Sequence, residues 1–213
     1  EFTLFDADGN HTPVHLGIPG RHNVMNALAA ATVAMRYGMA PETVARILAS
    51  QHTISPHRMA LSTVNREGTS FTLIDDSFNA NPDSMKAGLN GLKAWNSNDG
   101  KEPFRVALLG AMLELGADET ALHTSIGTYA DELGIDAIIA VGSAQDQHLD
   151  ALAQALADGA RQSQSASVDC VHDIDAAEQL VIDLARNHPD AVVLLKGSHA
   201  SGLSALAERW AKN

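Results

Sequence analysis

Two adjacent carboxylates, Asp75 and Asp76, close an apolar run and are followed by Ser77, Phe78, Asn79, Ala80, Asn81, Pro82 and Asp83. Adjacent acids at a strand end can accept both hydroxyls of a ribose or face a hydrated cation. The same residue types also build an Asx-rich turn with a helix cap, in which the side-chain oxygens serve the chain's own N–H groups. A second apolar run ends in Lys196-Gly197-Ser198. Here a point charge, a flexible backbone and a capping hydroxyl stand at the mouth of a helix, either as an anion site or as a solvated lysine beside an ordinary cap. Asn23 and Asn26 lie three apart at a helix start and share a face, from which side-chain amides can pair with the edge of an adenine. Capping explains Asn23 equally well but leaves Asn26 unexplained. His57-Arg58 stands where the sequence pattern changes. The guanidinium there can reach for phosphates or make a surface ion pair. Glu114, in Leu-Glu-Leu-Gly, reads as a helix-start acid or a loop carboxylate.

Other chemistries find no support. The chain has no G-x-x-x-x-G-K-[ST] phosphate loop and no G-x-S-x-G nucleophile turn. Its histidines show no H-x-x-x-H or H-x-H spacing, and His123 is expected on a helix surface, so a metal cluster within the chain is not expected. Cys170 is the one cysteine, which rules out an internal disulfide and fits a reducing cytoplasm; it is read as a core thiol in a strand. The net charge of -12, from 14 Lys and Arg against 26 Asp and Glu, repels phosphate backbones and anionic membranes at long range. Nucleic acid is therefore not an expected partner, although a nucleotide can still be held by a few local groups. No apolar run approaches the roughly 20 residues that span a bilayer, so membrane insertion is not expected either.

The elements that must position these residues fall into two parts. Residues 1–52 read as a hairpin, EFTLFDA and TPVHLGI around the turn Asp8-Gly9-Asn10, followed by a break at Pro19-Gly20 and two helices. The first helix is Ala-rich and stops at Gly38; the second opens with Pro41 in the first-turn position proline prefers. A hairpin and two helices offer little core, so this part is expected to be the end of a larger domain. The chain also opens without Met, as part of a longer polypeptide would. Residues 53–213 begin with ALSTVN and TSFTLID around Arg66-Glu67-Gly68. Apolar strands near FRVALLG, IDAIIAVG, SVDCV and AVVLLKG then alternate with helices starting near Pro82, Asp118, Ala144, Asp175 and Ser201, with polar loops at 96–103 and 158–166. Alternation of this kind predicts an α/β fold, a mostly parallel, Rossmann-like sheet with helices on both faces. In such sheets ligands bind beyond the carboxyl ends of the strands, where Asp75-Asp76, the residues after Val106 and Lys196-Gly197-Ser198 all fall.

Five strings in order, GRHNVMNALAA (20–30), HRM (57–59), IDDSFNANPDSM (74–85), LGAMLELG (109–116) and LKGS (195–198), resemble the Mur ligases over essentially the whole chain. The first string and the arginine motif are common to that superfamily, whereas DDSFNANPDSM looks like the branch that adds D-alanyl-D-alanine. The ligase adding the third peptide residue would show a D-N-P-R-type string and a folylpolyglutamate synthetase a D-G-A-H-N-P string, and neither is present. The rival from another class is a non-catalytic Rossmann-like module that binds a nucleotide or a protein. The resemblance implies an amino-terminal domain and a central ATPase domain beyond these residues, of which 1–52 would be the end of the second and 53–213 the third. It implies ATP and Mg2+ as cofactors of the full-length enzyme, with the phosphate loop and metal ligands in the central domain, and UDP-MurNAc-tripeptide and D-alanyl-D-alanine as substrates. By motif position, Asn23 and Asn26 would approach adenine, Arg58 the phosphates, and Asp75 or Asp76 the ribose, holding ATP across a domain cleft. Lys196, Ser198, Ser77, Phe78, Asn79 and Asn81 would line the side where dipeptide and acyl phosphate meet, with Arg58 and Lys196 as the catalytic cations. Two departures stand out: Ala111 where the family has Asp in LGDMLELG, and His199 where an arginine often follows KGS.

Overall fold

The computed structural model describes residues 1–6, 9–17, 21–51, 57–96, 102–162 and 166–212, with the side chains of 21 and 22 excepted. Asp8 of the first turn, the break at Pro19-Gly20, the expected boundary after residue 52 and parts of both polar loops lie outside the described residues. The chain forms two units, Glu1–Pro56 and His57–Asn213.

In the first unit, β1 (Phe2–Phe5) and β2 (His11–Val14) pair antiparallel with Phe2 opposite Val14. The Asp6 carboxylate closes the turn by accepting from the Asn10 backbone N–H at 2.8 Å and its side-chain amide at 2.9 Å. Two helices follow, α1 (Arg21–Arg36) and α2 (Pro41–Ser50), separated by Gly38 at φ +89. Their core is small: Leu4, Val14, Ala31, Val44 and Ala45 are its buried members, while Met25, Val33 and Tyr37 are exposed.

The second unit is built on a six-stranded sheet of order β3-β4-β8-β5-β6-β7. Its strands are β3 (Ala60–Arg66), β4 (Thr69–Asp76), β5 (Arg105–Gly110), β6 (Ala137–Val141), β7 (Ser167–Val171) and β8 (Val192–Lys196). Only the β3/β4 hairpin is antiparallel; the other four pairings are parallel, as the alternation predicts. The central strands β5, β6 and β8 are buried along their whole length, because helices cover both faces. On one face, α3 (Pro82–Ala94), α4 (Glu119–Glu132) and α5 (Gln147–Ala160) pack Leu89, Ile126 and Leu156 onto Ile74, Leu109 and Ile138. On the other, α6 (Ile174–Asn187) and α7 (Leu203–Ala211) pack Val181, Leu206 and Trp210 onto Leu73, Leu108 and Ile139. Trp210 meets Phe71 edge to face at 5.2 Å.

The α4 and α5 backbones touch. A Cβ on Gly127 would lie 1.9 Å from the Leu156 carbonyl oxygen, and one on Gly159 2.0 Å from that of Thr124, so the crossing requires glycine in both helices. Cys170 is only partly buried, because β7 is an edge strand; what burial it has pushes the thiol pKa up. His123 departs from the expected helix surface: it is fully buried on α4, between its own helix and the turn after β5. Among the described residues no helix is long and apolar enough to cross a membrane.

A candidate site at the carboxyl edge of the sheet

Parallel pairing decides which of the singled-out residues can meet. β8 lies between β4 and β5, with Lys196 in register with Asp76 on one side and Leu109 on the other. The β4, β5 and β8 ends therefore leave the sheet at the same edge. From there β4 and β5 lead to helices on one face and β8 to α7 on the other, the divergence at which open α/β sheets bind ligands.

The turn after β4 is tied inward at almost every polar atom. Asp75 is buried, and its Oδ1 accepts from the Ser77 hydroxyl at 2.6 Å and the Ser77 N–H at 3.2 Å. Its Oδ2 lies 2.7 Å from His57 Nδ1. Asp76 accepts from the Met59 N–H through Oδ1 at 3.2 Å and pairs with Lys196 Nζ through Oδ2 at 2.7 Å. Asn79 binds the Ala80 N–H with its side chain. Asn81 caps α3 in a capping box: its side chain accepts from the Ser84 N–H at 2.8 Å while Ser84 Oγ accepts from the Asn81 N–H at 3.0 Å. Asn81 thus performs the capping that its residue type equally allowed.

Lys196 is 1% exposed. Its ammonium group has acceptors for all three hydrogens, Asp76 Oδ2, the Asp76 carbonyl at 3.4 Å and the Asn79 carbonyl at 3.1 Å. Its stem fits because α3 carries Gly88, where a Cβ would come within 2.7 Å of Lys196 Cδ. What Lys196 supplies here is anchorage of the β4–α3 turn. Arg58, by contrast, is exposed, with its guanidinium carbon 4.2 Å from the centroid of the Phe78 ring, itself 46% exposed. These two side chains form the open rim of the turn.

Between β5 and β8 the edge is closed by the chain itself. A Cβ on Gly110 would lie 2.3 Å from Ser201 Cβ, and one on Gly197 2.6 Å from Ser201 Oγ and 3.0 Å from Gly110 Cα. The Ser198 N–H donates to the Ala111 carbonyl at 2.9 Å, and the Ser198 carbonyl accepts from Ser201 Oγ at 2.6 Å. Ser198 Oγ is buried and has no hydrogen-bond partner among the described residues. Ala111 is buried with Leu149 and Leu152, so the methyl group at that departure from the family pattern belongs to a small apolar cluster. His199, the other departure, lies 3.2 Å from Ser204 Oγ. Beyond Ala111, His123 pins the turn: Nε2 accepts from the Met112 N–H at 2.8 Å, and Nδ1 donates to the Glu119 carbonyl at 2.7 Å. Burial of the ring pushes its pKa below the ordinary histidine value. Glu114 is exposed, at φ +61.

In the first unit, Asn23 is buried near the start of α1, and Asn26 places its side-chain amide 3.4 Å from Asn23 Oδ1, so the two share a face. Sequence reading took Gly197 only as a flexible link and did not reveal Gly88, Gly110 and Ser201, which with it set the clearances around Lys196 and Ser198. The available signal was a glycine directly after each of two apolar runs, a sign of close backbone approach. Among the described residues no group of three or more His, Cys, Asp or Glu side chains could hold a metal ion.

Solved structures of similar proteins share this fold. Residues 57–199 match the family model described as Mur ligase, glutamate ligase domain. The UDP-N-acetylmuramoyl-tripeptide–D-alanyl-D-alanine ligase of Mycobacterium tuberculosis is 39% identical over 97% of this chain, and that of Escherichia coli 35% identical over 67%. These matches take up 41% and 29% of the two relatives, so the chain spans well under half the length of the curated proteins it resembles. A crystal structure of MurF from Acinetobacter baumannii superposes over the whole chain and 42% of its own length, with a TM-score of 0.78 and 26% identity. A folylpolyglutamate synthase of Mycobacterium tuberculosis, at 18% identity and a TM-score of 0.60, shares the fold alone. With the family model covering the sheet from the Arg58 turn to the Lys196 turn, and close relatives matching nearly all of its length, the chain belongs to the Mur ligase family.

Proposed function

We propose that this chain is the carboxy-terminal part of a cytoplasmic, ATP-dependent amide-bond ligase that adds D-alanyl-D-alanine to UDP-MurNAc-tripeptide. The reading rests on the relatives named for that reaction and on one geometric observation: parallel pairing sets the Asp75–Asn81 turn and the Lys196–Ser198 turn side by side at one edge. In the reaction, the γ-phosphoryl group of ATP passes to the tripeptide carboxylate, because a free carboxylate is a poor electrophile. The amine of the dipeptide then attacks the acyl phosphate, its carbon–nitrogen bond forms and inorganic phosphate leaves.

Positioning and charge neutralisation dominate such transfers, and the residues here supply both. Arg58, which lies exposed over Phe78, is the cation assigned to the nucleotide phosphates, on the strength of its motif and its free face. Asp76 and Lys196 fix the turn that faces the acceptor, with Ser77, Phe78, Asn79 and Asn81 in it and Ser198 beside it. Asn23 and Asn26 serve the adenine. Both oxygens of each aspartate are engaged within the turn, but Asp76 is the less buried of the pair and so the better placed for a ribose. The described residues do not by themselves fit a magnesium site, and the Mg2+ that accompanies ATP belongs with the phosphate loop of the central domain.

The test is steady-state kinetics of the full-length enzyme carrying Arg58→Ala or Asp76→Ala. Each should lower turnover by more than about tenfold while circular dichroism stays unchanged. Unaltered kinetics in both variants would remove the site assignment.

A further inference from the structure

Arg58 sits between two residues in the left-handed backbone region, His57 at φ +61 and Met59 at φ +49. Neither is glycine, so the turn is held in a conformation that side chains disfavour and must be fastened from outside. On the Met59 side the fastening is the N–H bond to Asp76 and the packing of the side chain against α3. On the His57 side it consists of the Phe78 N–H donating to the His57 carbonyl at 3.0 Å and the ring nitrogen Nδ1 at 2.7 Å from Asp75. Asp75 is an acceptor whose other oxygen is filled by Ser77, so Nδ1 carries the proton, and Nε2 faces Glu208 at 3.6 Å.

We propose that His57 is a positioning residue: its imidazole, bonded to Asp75, holds the left-handed turn that lays the Arg58 guanidinium on Phe78, ready for an anionic ligand. The functional half of this proposal rests on the reading of Arg58 as the phosphate contact. A backbone hinge alone would be served as well or better by glycine, which takes φ +61 at no steric cost. The ring bond to Asp75 is the feature that glycine lacks. Pre-organising a long, rotamer-rich side chain removes an ordering cost that the ligand would otherwise meet.

The experiment compares His57→Gly and His57→Asn in two settings. Asparagine tolerates the left-handed region and brings an amide N–H that can donate to Asp75. In the 213-residue chain, the Arg58 side-chain NMR signals report stacking through the ring-current shift from Phe78. In the full-length enzyme, ATP kinetics report function. His57→Gly should abolish the shift and raise the KM for ATP by about tenfold while kcat changes by less than about threefold. His57→Asn should restore most of the shift and bring KM back to within about threefold of the parent. A glycine variant that keeps the shift and the parent KM overturns the proposal, as does an asparagine variant no better than glycine. If Arg58→Ala leaves KM and turnover unchanged, the functional reading fails by itself, and the ring-current comparison still decides whether His57 holds the turn.

Discussion

Lys196 shows how much of a residue's surroundings its type leaves undisclosed. A lysine at the mouth of a helix reads as an anion contact, yet its ammonium group is enclosed by Asp76 and two carbonyls, a partnership across 120 residues of sequence that spacing could not disclose. The same holds for Asp75, whose ties to His57 and Ser77 use both its oxygens. That these residues lie at strand ends and in an Asx-rich turn was legible, because such ends and turns announce themselves. Their partners were not, because hydrogen bonds are made by side-chain reach in three dimensions. Replacing Lys196 by Met leaves Asp76 without its cation in a largely buried site, which costs about 3 kcal/mol. Urea unfolding of the chain measures this, and a loss below about 1 kcal/mol would reduce the pair to the standing of a surface ion pair.

At the level of elements, the alternation of apolar runs with helical segments was enough to predict each strand of the second unit and the start of most helices to within three residues. The order β4-β8-β5 was not legible, since crossovers on two faces decide it and no local pattern encodes them. Nor was the burial of His123, which depends on the turn after β5 folding back over α4. That burial has a pH consequence. The folded chain favours the neutral ring because burial desolvates it, which puts the folded pKa below the ordinary value, and the neutral ring is the form whose Nε2 can accept from Met112. The unfolded chain takes up its proton near about pH 6.5. Between the two values the unfolded state binds more protons, so the contribution of His123 is fully present above about pH 6.5 and is lost as pH falls below it. Unfolding midpoints at about pH 7.5 and about pH 5.5 should therefore fall further apart in the parent than in His123→Gln. Equal pH dependence in both proteins would contradict this account.

For the molecule as a whole, the first unit has few buried apolar residues among those described and leaves Met25, Val33 and Tyr37 of α1 and its end exposed. Without a phosphate loop, the chain by itself should bind ATP no more tightly than about millimolar, or about 4 kcal/mol. Calorimetric titration with ATP would settle this, and a micromolar affinity would mean that these residues hold the nucleotide unaided. The contact of Gly110, Gly197 and Ser201 bears on how the carboxyl edge of the sheet can respond to a load. With Ser201 wedged against both glycines, the exits of β5 and β8 are welded into a single lip. A push on the lysine end is then passed to the Leu109 end rather than opening a gap between them, so the lip can tilt as one piece but cannot splay.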